Sequence, residues 1–288
     1  MPLSDTGAAT ISPVEDDSVD WTTIETVFCD LDGVVWLAHR AIDGSVDAIA
    51  RIRATGRRVL FVTNNSAAVE RDHEQALEAI GIPAVGDVVS SAMAAATLVE
   101  PGERVLVAGG PGVVEALVAR GVEVVVNDGA GDPDGFDAVV VGLHRDFDFA
   151  RLAVASAAVR SGARLIGTNS DSTYPTPSGL QPGGGAILAA VAAASGVEPV
   201  IAGKPNEAMV AVIERRLSAD DRRYDGGRSL MVGDRPDTDG LFAQRLRCRF
   251  ALVRSGVTRV GDRIVHAVAV DLDVADLRAV ADRLALPV

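Results

Sequence analysis

The sequence predicts an α/β protein built on a parallel sheet, with a second α/β domain inserted into the first. Three observations carry this expectation. Short apolar runs of strand length alternate with longer segments whose apolar residues recur at helical spacing, the pattern of a parallel sheet covered on both faces. The chain has 288 residues, which at roughly 100–200 residues per domain suggests two domains. Between residues 100 and 199 the texture changes: glycines and acidic turns crowd Asn127 to Asp137 while the strand and helix alternation repeats.

In chain order, the first strand is Thr26–Cys29, followed by Asp30-Leu31-Asp32-Gly33. A helix with Ile49, Ile52 and Ala54 inward stops at Gly56. Val59–Val62 is the next strand and ends in Thr63-Asn64-Asn65, and an amphipathic helix over Glu70–Ile80 stops at Gly81. Strands over Val105–Ala108, Ala138–Val141 and Arg164–Ile166 fall in the inserted stretch, and Gly183-Gly184-Gly185 there opens an Ala-rich helix. Buried Val200-Ile201-Ala202 precedes Gly203-Lys204-Pro205, and Leu230–Val232 precedes Gly233-Asp234-Arg235. A final amphipathic helix over Asp273–Leu286 turns Val274, Leu277, Val280 and Leu284 to the core.

Composition excludes several classes. Forty acidic against 27 basic side chains leave a formal charge of −13, so the surface repels phosphate backbones and no nucleic-acid partner is expected. With 48% hydrophobic but only 4% aromatic residues, the bulk of the chain is ordered around a core of Ala, Val, Leu and Ile. Cys29 and Cys248 are too few for a disulfide framework and are read as reduced core residues. His39, His73, His144 and His266 form no HxxxH pair and receive no role. Residues 1–20 are polar, acidic and proline-punctuated, lack the features of a signal peptide, and are expected to be a flexible tail. The apolar run Ala186–Ala194 falls well short of the roughly 20 residues that span a bilayer. A soluble, cytoplasmic protein without a membrane partner is expected.

All but one of the 27 basic residues are Arg, and the single lysine is Lys204. A lone lysine in so arginine-biased a chain points to a place where a compact ammonium fits and a planar fork does not. Its neighbourhood supports this. Four strand ends carry polar groups: Asp30 with Asp32, Thr63 with Asn64, Lys204, and Asp234. In an open parallel sheet ligands bind outside the carboxyl ends of the strands, so these groups can share a site. Asp30 and Asp32 project to the same side of extended backbone, and their repulsion is resolved by a hard cation such as Mg²⁺. Carboxylates with a metal on one side, and an ammonium with hydroxyl and amide donors on the other, suit a transferring phosphoryl group.

These residues carry a family resemblance. Val27-Phe28-Cys29-Asp30-Leu31-Asp32-Gly33-Val34 resembles the first motif of the haloacid dehalogenase (HAD) superfamily of phosphatases. Phe61-Val62-Thr63-Asn64-Asn65-Ser66 is similar to the second, Gly203-Lys204-Pro205 to the third, and Gly233-Asp234-Arg235-Pro236-Asp237-Thr238-Asp239 to the fourth. The long insert, with Thr168-Asn169-Ser170-Asp171-Ser172-Thr173-Tyr174-Pro175 and Pro182-Gly183-Gly184-Gly185, resembles the type C2 cap of the NagD and 4-nitrophenylphosphatase subgroup.

The resemblance covers about residues 22 to 260 and departs at Pro236 and Gly240, where the family has bulkier apolar residues, a difference that touches local packing alone. It implies a Rossmann-like parallel-sheet HAD core over 21–99 and 200–288 and an inserted α/β cap domain over 100–199. It also implies a Mg²⁺-dependent phosphatase of small phosphorylated metabolites. Asp30 would be the nucleophile that forms an aspartyl-phosphate and Asp32 the general acid and base. Asp30, the Asp32 carbonyl and Asp234 would hold the metal, with Asp239 as outer support. Thr63, Asn64 and Lys204 would bind the phosphoryl oxygens, and Asn169, Asp171 and Tyr174 would shape specificity. Caps of this kind often mediate dimers, so a homodimer is raised beside a monomer.

Blander readings stand beside these: a solvated turn for Asp30 and Asp32, a helix cap for Thr63-Asn64-Asn65 or Asp239, and plain loop residues for Asn169, Asp171 and Tyr174. Arg235, which could guide anions or pair with a carboxylate, is left out of the catalytic set. Two other functions compete. Phosphotransfer would use the same covalent mechanism. Ligand binding without turnover, including dinucleotide binding, is suggested by Gly109-Gly110-Pro111-Gly112 and Asp128, but Glu115 stands where the last glycine of the dinucleotide fingerprint belongs.

Overall fold

The first strand-length run, Thr26–Cys29, is buried along its whole length, as a parallel strand covered on both faces must be. It forms β1 of a computed structural model that describes residues 19–176, 179–220, 222–264 and 268–285. β2 (Trp36–Leu37), β3 (Arg40–Ala41), α1 (Ser45–Ala54), β4 (Arg58–Thr63), α2 (Glu70–Ala79), β5 (Val88–Ser90) and α3 (Ser91–Ala96) follow. Next come β6 (Arg104–Ala108), α4 (Pro111–Arg120), β7 (Glu123–Val126), β8 (Ala138–Val141), α5 (Phe149–Arg160) and β9 (Arg164–Gly167). β10 (Thr173–Thr176), β11 (Gly179–Pro182), α6 (Gly184–Ser195), β12 (Val200–Ile201) and α7 (Glu207–Ala219) lead on to β13 (Ser229–Gly233). A π-helical turn (Pro236–Gly240), α8 (Leu241–Leu246), β14 (Arg249–Val253), β15 (Leu272–Val274) and α9 (Leu277–Ala285) complete the order.

The chain divides into two compact units, one of the residues up to Trp36, Ala41–Val59 and those from Gly226 on, the other of Leu37–Arg40 and Leu60–Asp225. In the first unit the strands run β15-β14-β13-β1, all parallel, with Cys29 opposite Val232 and Gly233 opposite Leu252. α9 packs on α1 and β15, burying Leu277, Val280 and Leu284. Each such side chain contributes about 1.5–3 kcal/mol of transfer free energy.

In the second unit β4 and β5 pair in parallel, and a separate parallel sheet runs β12-β9-β8-β6-β7. α5 and α6 pack together on β8, around Leu106, Val139, Val141, Ala155, Ala158, Leu165, Leu188 and Val191. Small aliphatic side chains fill this core, as the scarcity of aromatics requires.

Several expectations need correction. Ala54 is exposed, because it lies about 200° around the helix from Ile52 at 100° per residue. The last helix begins at Leu277, since Leu272–Val274 is a strand that extends the sheet beside β14, and Val274 belongs to that strand. Val200–Ile201 is not a buried strand. It is the half-exposed edge of the second unit's five-stranded sheet, paired with Ile166 and Gly167 of β9. Cys29 is buried but Cys248 is only half-buried, although burial of its thiol pushes its pKa up to about 12. The expected flexible tail lies outside the described residues up to 18. Val19 is buried, and Asp20 caps a 3-10 turn over Trp21–Thr23 through the Thr22 N–H at 3.0 Å.

His73, given no role from sequence, is buried on α2. Burial therefore lowers its pKa from 6.5 to about 4. Between those values the unfolded chain binds a proton that the folded chain refuses, so stability falls as pH drops through that window. The loss reaches about 3 kcal/mol at about 1.36 kcal/mol per pKa unit. In His73→Leu the urea midpoint should change much less than in the wild type between about pH 7 and about pH 4.5, a comparison made by circular dichroism.

Candidate active site

In the first unit, the parallel ladder carries one residue past β1, where the Asp30 N–H donates to the Val232 carbonyl at 2.9 Å. Asp30 is thereby set beside the end of β13, which delivers Asp234 just beyond Gly233. The turn that follows folds Asp239 back, with its Oδ2 accepting the Arg235 N–H at 3.1 Å and its own N–H donating to the Arg235 carbonyl at 2.8 Å. The result is a buried cluster in which Asp30, Asp234 and Asp239 each place a carboxylate oxygen within 4.8 Å of the other two. Asp239, expected as an outer support, stands in the cluster itself. The Asp32 carboxylate is not part of the three-oxygen group and accepts the Trp36 indole N–H at 3.2 Å.

Asp234 is the most constrained of these acids. Its Oδ2 accepts the Val257 N–H at 2.5 Å, while its Oδ1 is buried with no hydrogen-bond partner. Burial, then the charges of Asp239 and Asp30, hold its carboxyl well above the usual carboxylate range. An orphaned oxygen among three crowded carboxylates is the donor set a small hard dication takes, so these residues fit Mg²⁺. Backbone must pass close to Asp234 for this packing. A Cβ at Gly33, which has φ +90°, or at Gly256 would overlap its carboxylate. The Ser255-Gly256-Val257 loop, fixed by the Ser255 hydroxyl on the Gly33 carbonyl at 2.7 Å, went unnoticed in the sequence. A Ser-Gly pair shortly after a strand was its only signal. Gly240, the departure from the family pattern, lets the turn close against Phe250 and Val268.

The second unit assembles a different set. Thr63 ends β4, buried, and its hydroxyl accepts the Asn65 N–H at 3.0 Å. Lys204 is 2% exposed and follows β12, and its N–H donates to Asn64 Oδ1 at 2.8 Å. Gly203 is required just before it, since a Cβ there would collide with the Thr168 carbonyl and the Asn64 side chain. Asn169 bridges two neighbours: its Nδ2 donates to the Asn64 carbonyl at 2.7 Å and its Oδ1 accepts the Asp171 N–H at 3.1 Å. The Asp171 carboxylate accepts from Asn64 Nδ2 at 3.1 Å. Tyr174 lies apart on the β10–β11 hairpin, with the Arg145 guanidinium 6.0 Å from its ring centre. Ser66, Ser91 and Thr168 are buried polar braces that sequence reasoning missed, because nothing in their local pattern marks a cross-chain partner.

Two features outside the proposed site have simple structural roles. Arg235 lies 3.4 Å from the Asp237 carboxylate. Gly110 and Gly112 have backbone of Ala67 and Ala68 where a Cβ would stand, and the Gly112 N–H donates to the Ala67 carbonyl at 3.1 Å. These glycines serve close packing of the α4 N-terminus on the loop at Ala67 and Ala68.

A family model described as haloacid dehalogenase-like hydrolase matches residues 27–123, and a second HAD-like hydrolase model matches 201–280. Phosphoglycolate phosphatase 2 of Arabidopsis thaliana is 31% identical over 264 residues, 82% of this chain and 84% of the relative. The chain belongs to the haloacid dehalogenase-like hydrolases. An acid sugar phosphatase of Staphylococcus saprophyticus is 35% identical over 233 residues, covering 80% of this HAD-like chain and 86% of the relative. The crystal structure of a glycerol phosphate phosphatase from Mycobacterium tuberculosis in complex with magnesium superposes with a TM-score of 0.79 at 33% identity, over 90% of this chain and 77% of that one.

Metal should stabilise the HAD-like carboxylate cluster measurably. Mg²⁺ added to chelator-stripped protein at about a hundred times its Kd should raise unfolding free energy by about 2.7 kcal/mol, seen as a higher Tm. Asp234→Asn should abolish that rise. Because the folded-state pKa of Asp234 lies above 3.8, stripped wild type loses stability as pH rises from 3.8 through the folded value, and the variant should lose less.

Proposed function

We propose that this protein is a Mg²⁺-dependent phosphomonoesterase that hydrolyses small phosphorylated metabolites through an aspartyl-phosphate. The observation that carries the reading is the buried Asp30–Asp234–Asp239 cluster with its unpartnered Asp234 oxygen, in a chain of the HAD-like hydrolases. Asp30, the Asp32 carbonyl and Asp234 would hold Mg²⁺, with Asp239 beside them. The ion supplies charge neutralisation for the phosphoryl group.

The chain's own groups then divide the work. An Asp30 carboxylate oxygen attacks phosphorus and the bond to the ester oxygen breaks, the leaving alkoxide taking its proton from Asp32. The Asp32 carboxylate next accepts a proton from water, whose oxygen attacks the same phosphorus and releases Asp30 and inorganic phosphate. Lys204, Thr63 and the Asn64 segment hold the phosphoryl oxygens. Asn169, Asp171 and Tyr174 shape the choice of leaving group from the inserted α/β cap.

Relatives named for phosphoglycolate, acid sugar and D-glycerol 3-phosphate support a small phosphate ester as substrate. Among the described residues no helix is long and apolar enough to cross a membrane; a cytoplasmic enzyme without a membrane partner is the proposed setting. The acidic charge argues against nucleic acid. A homodimer is the assembly to test by light scattering.

Release of inorganic phosphate from 4-nitrophenyl phosphate should stop with EDTA and recover with Mg²⁺. Asp30→Asn should lower kcat by at least about 1,000-fold, as loss of a nucleophile does. Hydrolysis that survives chelation, or full activity in Asp30→Asn, refutes the reading. A metabolite panel ranked by kcat/KM then identifies the substrate.

A further inference from the structure

Asn64 is expected among the phosphate ligands, yet its carboxamide is committed at both ends inside its own compact unit. Its Oδ1 accepts the Lys204 N–H at 2.8 Å, and its Nδ2 donates to the Lys204 carbonyl at 3.2 Å and to the Asp171 carboxylate at 3.1 Å. A primary amide has two N–H donors, and both are used here. The grip falls on the main chain of Lys204, whose N–H and C=O are held by one rigid planar group.

Asn64 is itself anchored. Its carbonyl accepts the Ser91 hydroxyl and the Asn169 amide, each at 2.7 Å, and Asn169 in turn holds the Asp171 N–H at 3.1 Å. Lys204 therefore rests on a closed set of hydrogen bonds with Asn64 at its centre.

We propose that Asn64 is a positioning residue that acts through Lys204, its carboxamide fixing the lysine main chain and tying it to the Asp171 carboxylate. The proposal rests on the phosphatase reading and changes the part of one residue within it. The ammonium sits at the end of four rotatable bonds and is held in one direction only if its main chain does not move. An amide is the group that serves here, since the position needs an acceptor for the Lys204 N–H and donors for two acceptors. Asp at this position would keep the first bond and set an oxygen against both the Lys204 carbonyl and Asp171. Asn at position 171 would then return a donor to the second of these contacts.

The test compares wild type, Asn64→Asp, Asp171→Asn and the double variant for hydrolysis of 4-nitrophenyl phosphate with Mg²⁺. Thermal melts and calorimetric binding of inorganic phosphate are measured on all four. Asn64→Asp should lower kcat by about 100-fold with a much smaller change in KM, and the exchange of amide and carboxylate should recover at least about tenfold of that loss. If Asn64 instead donated to the phosphoryl oxygens, a carboxylate at 64 would repel the dianion in either background. The double variant would then be no more active than Asn64→Asp, which overturns the proposal.

Should Asn64→Asp melt more than about ten degrees low, the cycle is run with Asn64→Ala and Asp171→Ala. A double loss no larger than that of Asn64→Ala supports the coupling, and additive losses overturn it. Wild-type protein that neither hydrolyses the ester nor binds phosphate fails the phosphatase reading itself, a result visible before any variant is made.

Discussion

Mutual repulsion among Asp30, Asp234 and Asp239 is the constraint around which the first unit is arranged. Three carboxylates with oxygens within 4.8 Å of one another in a buried place cannot all stay ionised without a cation, and burial raises the Asp234 pKa accordingly. Much of the surrounding architecture maintains this costly arrangement. The β1–β13 register sets Asp30 beside the strand end that delivers Asp234, the turn over Pro236–Gly240 brings Asp239 back, and the Gly33 and Gly256 backbones close on the Asp234 carboxylate. Stability given up at such a cluster in the metal-free chain is recovered on binding the ion, so affinity for Mg²⁺ and strain in its absence share one origin.

The second unit solves the opposite electrostatic task, keeping a single ammonium and a set of hydrogen-bond donors in place inside protein. Lys204 is almost wholly buried, and its main chain is held by Asn64, which Ser91 and Asn169 hold in turn. Here side chains from three separate stretches hold the segment in place. Main-chain hydrogen bonds continue past β12, from the Ala202 N–H to the Gly167 carbonyl and from the Gly203 N–H to the Thr168 carbonyl, and at Lys204 the Asn64 carboxamide takes over as the main-chain partner.

Legibility in the sequence followed the range of the physics involved. Apolar runs and helical periodicity are local, so Thr26–Cys29 and Ala138–Val141 coincide with observed strands and the α2 segment was off by one residue. Errors arose where a segment's fate depends on its neighbours. Val274 fits a helical stripe but extends β15 because β14 offers an open edge, and Val200–Ile201 looks like a core strand yet takes the rim of another sheet. Asp30, Asp234 and Lys204 were legible because charged residues at the ends of apolar runs need a reason. The commitments of the Asn64 carboxamide were not, since each of its bonds joins residues more than 100 positions apart.

What the sequence determined by itself was the alternation of strand and helix, the acids and the lone lysine at strand ends, and the family those residues mark. Tertiary structure alone decided that Asp239 joins the acid cluster, that Asp234 keeps one oxygen unpartnered, and that Asn64 spends its amide on Lys204 and Asp171. Strand and helix patterns are written in neighbouring residues by side-chain periodicity. Hydrogen-bond partners and carboxylate spacing depend on ångström-scale approach of distant segments, and no local pattern encodes that distance.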